Sequence, residues 1–167
     1  GGPLKKEKTL PESIEEVLSN LTGIRKIALE QVACYSNVER HPIKRVVSVS
    51  NYALVKPEDY PVIPKNYISD IMWFEIGDVP ELGFDHNRLL TDSLSKLRDN
   101  LRQNLVFGEL LADLFTLKEL QELYENILGE RLDRRNFRKK ILQMDLLVPT
   151  NEKKAGVKGG PELYKKK

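Results

Sequence analysis

The chain has 167 residues, enough for one domain of ordinary size or two small ones. Hydrophobic residues make up 40% and charged residues 31%, as in a globular protein, and a net charge of +2 excludes a uniformly basic molecule. The single cysteine, Cys34, excludes an internal disulfide framework and a Cys-based zinc site, the longest apolar runs are too short to span a bilayer, and no signal peptide is visible, so a reducing, cytoplasmic compartment is expected.

Residues 12–21 read as a short amphipathic helix, with Ile14, Val17, Leu18 and Leu21 at the i, i+3, i+4, i+7 spacing. Thr9 and Glu12 offer a capping box, Pro11 suits the first turn, and Gly23 ends it. The period then changes. Residues 28–35 and 46–55 read as strands, the second rich in Val, with a loop carrying Pro42 between them. In the first strand, Cys34 reads as a buried structural thiol. Pro57, Pro61 and Pro64 mark a second loop, and residues 71–74 suit a short apolar strand. Gly77, Pro80 and Gly83 break the chain after it, and Leu90, Leu94, Leu97 and Leu101 line one face of a helix over 89–101. A domain boundary is expected near Asn104, giving units 1–104 and 105–167.

The C-terminal unit is the more specific. Residues 107–114 read as helix. Thr116 with Glu119 forms a second capping box, Gly129 stands where that helix stops, and Asp133 caps another helix with its carboxylate at the positive helix end. Between Arg131 and Lys140 there are six basic residues and one acidic one. Phe137, Ile141 and Met144 form the apolar stripe of that last helix. Two capped helices joined by a tight turn, the second basic, are the layout of a helix-turn-helix. Residues 146–148 and 163–164 are expected to pair as a hairpin around a Lys- and Gly-rich segment, completing a winged helix.

These residues carry a resemblance. Residues 1–24 resemble a Nudix box, with Gly2 at its glycine, Leu18 at its apolar site and Gly23-Ile24 at its end. The strands and the stretch from Trp73 to His86 resemble more of a Nudix fold. Phe115-Thr-Leu, Leu123-Tyr-Glu and Asp133-Arg-Arg-Asn-Phe-Arg-Lys-Lys are similar to the winged helix of the Nudix-related transcriptional regulators. The resemblance implies an α+β chain, a partial Nudix-like α/β/α domain followed by a winged helix-turn-helix, with the N-terminal strands of the Nudix fold missing. It also implies a sensor of a small metabolite coupled to operator DNA, acting as a repressor and a homodimer. The effector expected is a sugar or an ADP-ribose-like molecule.

The departures from the family pattern bear on chemistry. Lys8 stands at the first glutamate of the box, Val17 at the glutamate after the arginine site, and Asn20 and Leu21 at the paired glutamates. Diphosphate hydrolysis needs magnesium held by carboxylate oxygens, which these side chains do not supply. A regulator without catalytic residues, metal or cofactor is therefore expected. The loss favours a neutral sugar such as a pentose. Glu12 and Glu16, spaced i, i+4 away from the apolar stripe, read as a solvated face rather than a shifted metal site. The alternatives are a Nudix-type hydrolase with an appended winged helix, and a winged helix used for protein contacts.

The expected DNA-binding residues are Arg134, Arg135, Arg138 and Lys139 on the basic helix and Lys153, Lys154 and Lys158 in the wing. Arg135 or Arg138 can form a bidentate pair with guanine, whereas the lysines suit phosphates, which position without specifying. The competing reading of this run is a solvated charged face. For the effector, the candidates are Tyr35, Arg40, Arg45, Trp73, Asp85 and His86. Tyr35 and Trp73 read as core or pocket lining, and Arg40 and Arg45 as a solvated hairpin or a contact to an anionic or hydroxyl-rich ligand. The Asp85-His86 pair reads as structural or ligand-contacting, since no nucleophile stands beside it.

Overall fold

The computed structural model describes residues 1–60, 70–103, 110–156 and 159–167. They form two compact units, Gly1–Asn87 and Arg88–Lys167. The boundary expected near Asn104 falls on a residue outside this description, and the units divide earlier. The reason is visible in the second unit. Helix α2, His86–Gln103, buries Leu97 and Leu101, Arg98 donates to the Ile127 carbonyl at 3.1 Å, and the Arg102 carbonyl accepts from Lys140 at 2.6 Å. Most of α2 therefore packs and bonds with the C-terminal helices.

In the first unit, helix α1 spans Leu10–Thr22. The Glu12 carboxylate accepts from both the backbone N–H and the hydroxyl of Thr9, at 2.8 and 2.7 Å, and Gly23 closes the helix at a φ of 84° that favours glycine. Strand β1, Glu30–Tyr35, pairs antiparallel with β2, Ser48–Tyr52, in a two-stranded sheet with a bulge between Gln31 and Ala33. Both strands are shorter than the sequence pattern suggests. Successive strand residues face opposite sides, so with Tyr35 turned inward Cys34 is exposed, not the buried thiol expected. The stretch 71–74 forms no strand. It runs as irregular chain into a 3-10 turn at Ile76–Asp78, and Met72, Trp73 and Phe74 are about half exposed. A short apolar run becomes a strand only when a ladder partner takes its backbone bonds, and none does so among the described residues.

The second unit is a winged helix. Helix α3, Leu117–Leu128, and helix α4, Arg134–Gln143, are followed by strands β3, Leu147–Lys153, and β4, Glu162–Lys166, paired antiparallel. Phe115 adds an isolated bridge to Tyr164, its N–H donating at 3.0 Å and its carbonyl accepting at 2.8 Å. Of the helix expected over 107–114, residues 107–109 lie outside the description and 110–114 are irregular. The core joins Leu97 and Leu101 to Phe115, Leu120, Tyr124, Phe137, Ile141, Leu147 and Tyr164. Tyr124 and Phe137 meet edge to face with ring centroids 5.4 Å apart, the arrangement aromatic quadrupoles favour.

Candidate nucleic-acid interface and the clamp of the first unit

The turn between α3 and α4 is built by side chains. Thr116 caps α3, its hydroxyl accepting from the Glu119 N–H at 3.2 Å, while Glu119 Oε2 accepts from the Thr116 N–H at 2.8 Å. Gly129, at φ 72°, turns the chain out of α3. Glu125 then accepts from the Leu132 N–H at 2.9 Å, and Gln121 donates to the Leu132 carbonyl at 2.9 Å. The Leu132 amide, Gln121 and Arg131 hold the Glu125 carboxyl below its ordinary range. Asp133 caps α4 by accepting from the Asn136 N–H at 2.8 Å. Two helix ends and one turn are thus fixed by side chains close in sequence, which sets the direction in which α4 presents its outer residues.

On α4, Phe137 and Ile141 are buried, whereas Arg134, Arg135, Arg138 and Lys139 are exposed. Among the described residues none of these four side chains makes an ion pair or hydrogen bond. Lys140, on the same helix, has a structural job in its bond to the Arg102 carbonyl. Asn136 contributes its backbone N–H to the Asp133 cap.

The wing lysines separate. Lys153 is exposed at the end of β3. Lys154 is engaged: its ammonium lies 2.6 Å from Glu119 Oε1, and its N–H donates to the Pro161 carbonyl at 3.0 Å. Lys158 lies outside the described residues. Glu119, a residue that sequence reasoning treated only as a cap, therefore also anchors the wing. Lys154 is the first cause of its lowered carboxyl pKa, with Thr116 adding to it.

In the first unit, the proposed effector residues divide as well. Arg40 is nearly fully buried, its side chain 5% exposed, and it donates to both Asp85 oxygens at 2.9 Å and to Ser48. This guanidinium holds the Asp85 carboxyl below its usual range. Asp85 therefore serves Arg40 first, and among the described residues no hydrogen bond joins it to His86, whose charge adds to the same lowering. Beside the clamp, the His41 ring stacks on Phe84 at 5.2 Å and His86 tilts against the same ring at 5.9 Å. Phe84 adopts a φ of 60°, which costs energy for a residue other than glycine. Arg45 is committed to the Ser36 and Asn37 carbonyls at 2.7 and 3.1 Å. Tyr35 is buried, and Trp73, 48% exposed, makes no hydrogen bond or ring contact with this cluster among the described residues. Sequence reasoning missed Ser48 and the Phe84 stack. Of their partners only His41, 43 residues before Phe84, is distant, and the local signal for the stack is the Gly83-Phe84 pair that breaks the chain before α2.

Glu12 and Glu16 are both in use. Glu12 caps α1, and Glu16 takes Lys5 at 2.5 Å and Lys8 at 2.9 Å, which lower its carboxyl to about 2. The backbone of Gly2 lies against Val17 so closely that an added Cβ would stand 2.6 Å from Cγ2. A larger residue there would require the Val17 side chain or the Gly2 backbone to shift.

Residues 107–165 match the NrtR DNA-binding winged helix domain family. The chain is 31% identical over 163 residues to the ADPR responsive transcriptional repressor NtrR of Acinetobacter baylyi, a match covering 97% of this chain and 65% of that protein. The chain therefore carries a C-terminal winged helix of the NrtR type and is similar over nearly its whole length to Nudix-related transcriptional regulators. It thus spans just under two thirds of the length of that curated relative. Two crystal structures of Shewanella oneidensis NrtR, one of them complexed with a 27mer DNA, each match at 26% identity with a TM-score of 0.78, over 99% of this chain and 77% of theirs. A MutT/nudix family protein from Enterococcus faecalis matches in fold, at 20% identity and a TM-score of 0.80, over 99% of this chain and 71% of that one.

Proposed function

We propose that the chain is part of an effector-responsive repressor that binds double-stranded operator DNA through α4 and the wing, as a homodimer in the cytoplasm, with Gly1–Asn87 as the sensing unit. One observation carries this reading. A winged helix of the NrtR type presents Arg134, Arg135, Arg138 and Lys139 on an exposed helix face, with no side-chain ion pair or hydrogen bond for them among the described residues. An exposed basic face on a recognition helix is suited to release counterions from a polyanion and to reach base edges. The likeness to a protein structure solved with DNA supports the same partner.

The relative guides the choice of effector. The Acinetobacter protein is named for its response to ADP-ribose, which favours the ADP-ribose-like arm of the expectation over a neutral pentose. No hydrolysis is assigned to the sensing unit. Glu12 and Glu16 are occupied by a cap and by two lysines, and Val17 and Leu21 offer no oxygen.

The test is selection of bound duplexes from a randomised library with the 167-residue chain, followed by fluorescence anisotropy at several salt concentrations with and without ADP-ribose. A selected duplex should bind more tightly than a scrambled one, with affinity falling as salt rises, and ADP-ribose should release it. Binding that is indifferent to salt and to sequence would overturn the DNA reading. Salt-dependent specific binding that ADP-ribose leaves unchanged would overturn only the effector.

A further inference from the structure

The exposed cations of α4 do not all face the same surroundings. A cleft of about 240 Å³ lies between the first turns of α3, the first half of α4 and strand β4. Lys118, Arg134, Arg138, Glu162 and Tyr164 line it, and Arg135 and Lys139 do not. Helical spacing explains the split. At about 100° per residue, Arg134 and Arg138 flank the buried Phe137/Ile141 stripe on one side, whereas Arg135 and Lys139 stand nearly opposite it. Three cationic residues and one carboxylate, Glu162, line it, and Glu162 accepts from the Tyr164 hydroxyl at 2.9 Å. Lys118 is held, among the described residues, only by an exposed pair with Glu122 at 3.3 Å, an interaction worth little and readily given up.

Resting on the DNA-binding reading above, we infer that Arg134 and Arg138, with Lys118 across the cleft, seat a phosphate of the DNA backbone and leave Arg135 as the arginine that reads a base edge. The cleft concentrates positive charge at the base of the recognition helix, beside the wall that β4 supplies. A phosphodiester carries acceptor oxygens on several sides and suits donors arriving from two helices. A base edge is flat and is reached by the residues that point straight out of the helix. Arg138 and Arg135, equivalent in the sequence, thus take different roles. One positions the protein and the other specifies the site.

The experiment compares the Arg134→Ala, Arg138→Ala, Lys118→Ala and Arg135→Ala variants of the full chain on one selected and one scrambled duplex across salt. Arg135→Ala should lose about tenfold or more on the selected duplex and little on the scrambled one. Arg134→Ala and Arg138→Ala should weaken both duplexes alike and reduce the salt slope by about 0.9, with Arg138→Lys restoring the slope. Duplexes with single methylphosphonate substitutions give a readout that misfolding does not. One neutralised position should weaken the parent chain while leaving Arg138→Ala no weaker than before. If Arg138→Ala instead abolishes discrimination with an unchanged slope, Arg138 reads a base and the inference fails. It also fails if both arginine variants bind like the parent, although the DNA reading then stands. A parent chain without salt-dependent binding overturns both.

Discussion

The two units use their arginines in opposite ways. In the first, the Arg40 side chain is buried and donates to both oxygens of Asp85 and to Ser48. In the second, the side chains of Arg134, Arg135 and Arg138 are exposed and make no ion pair or hydrogen bond among the described residues. A buried guanidinium must be paired because its desolvation is otherwise uncompensated. An exposed one keeps its water and its donors until a partner arrives. What separates a strut from a contact is therefore the neighbourhood that the fold supplies, and residue type is silent on it. Arg40 reads from the sequence as part of a solvated hairpin or as a ligand contact, and its geometry makes it a clamp between the β1–β2 hairpin and the chain entering α2.

The largest effect should come from the core of the second unit. Leu120 is fully buried on α3, and Leu120→Ala should cost about 2–5 kcal/mol through lost burial and the cavity left behind. The helical circular dichroism transition should move to lower urea and DNA binding should fall with it. Trp73, the sole tryptophan, lies in the first unit and reports on that unit alone. Its fluorescence transition should stay where it was. If it shifts as far as the helical signal, the units unfold together, and the contrast between them does not extend to stability.

Next comes the comparison of arginines itself. Arg40→Ala leaves Asp85 and Ser48 without their donor and should destabilise the first unit by about 2 kcal/mol, less than a fully buried pair would because Asp85 keeps some solvent. Arg135→Ala removes an exposed side chain and should change stability by less than about 0.5 kcal/mol. Urea melts followed at Trp73 for the first variant and by helical signal for the second decide it. Equal small effects would mean that the Arg40 clamp is decorative.

The legible features were those whose cause is local. Thr116 with Glu119, Gly129 and Asp133 sit within a turn or two of the groups they satisfy, so the ends of α3 and the start of α4 can be read from spacing. The wing hairpin was legible from its apolar ends. The illegible features have distant causes. Arg40 and Asp85 are 45 positions apart, and Lys154 and Glu119 are 35 apart. Nothing in either segment announces the other. The apolar run 71–74 misled because strand formation depends on a partner that a short run cannot specify. Cys34 misled because the side of β1 it faces is fixed by pairing with β2 and by the bulge after Gln31. The charged helix itself was legible, but the division between Arg138 and Arg135 needed the wall of β4.

The smallest expected effect probes a third kind of charged group, neither buried nor free. Glu119 Oε1 takes the Lys154 ammonium while Oε2 takes Thr116, so one carboxylate ties the wing to the cap of α3. Its folded-state pKa is lowered from 4.5, by Lys154 first. A lowered carboxylate pKa means stabilisation that is fully present above the unfolded value and is lost as pH falls through the folded one. Lys154 is half exposed, so water and salt screen the pair, and its worth should stay below about 1 kcal/mol. Glu119→Gln should therefore be slightly less stable than the parent chain at pH 7, and the difference should shrink as the pH drops below about 4. Lys153→Ala, which removes an exposed neighbour outside this tie, should show no such pH dependence. Urea melts of the helical signal at pH 7 and pH 3 measure both. A Glu119→Gln penalty that is as large at pH 3 as at pH 7 would mean that the residue matters as a neutral cap alone and that Lys154 is free to meet DNA.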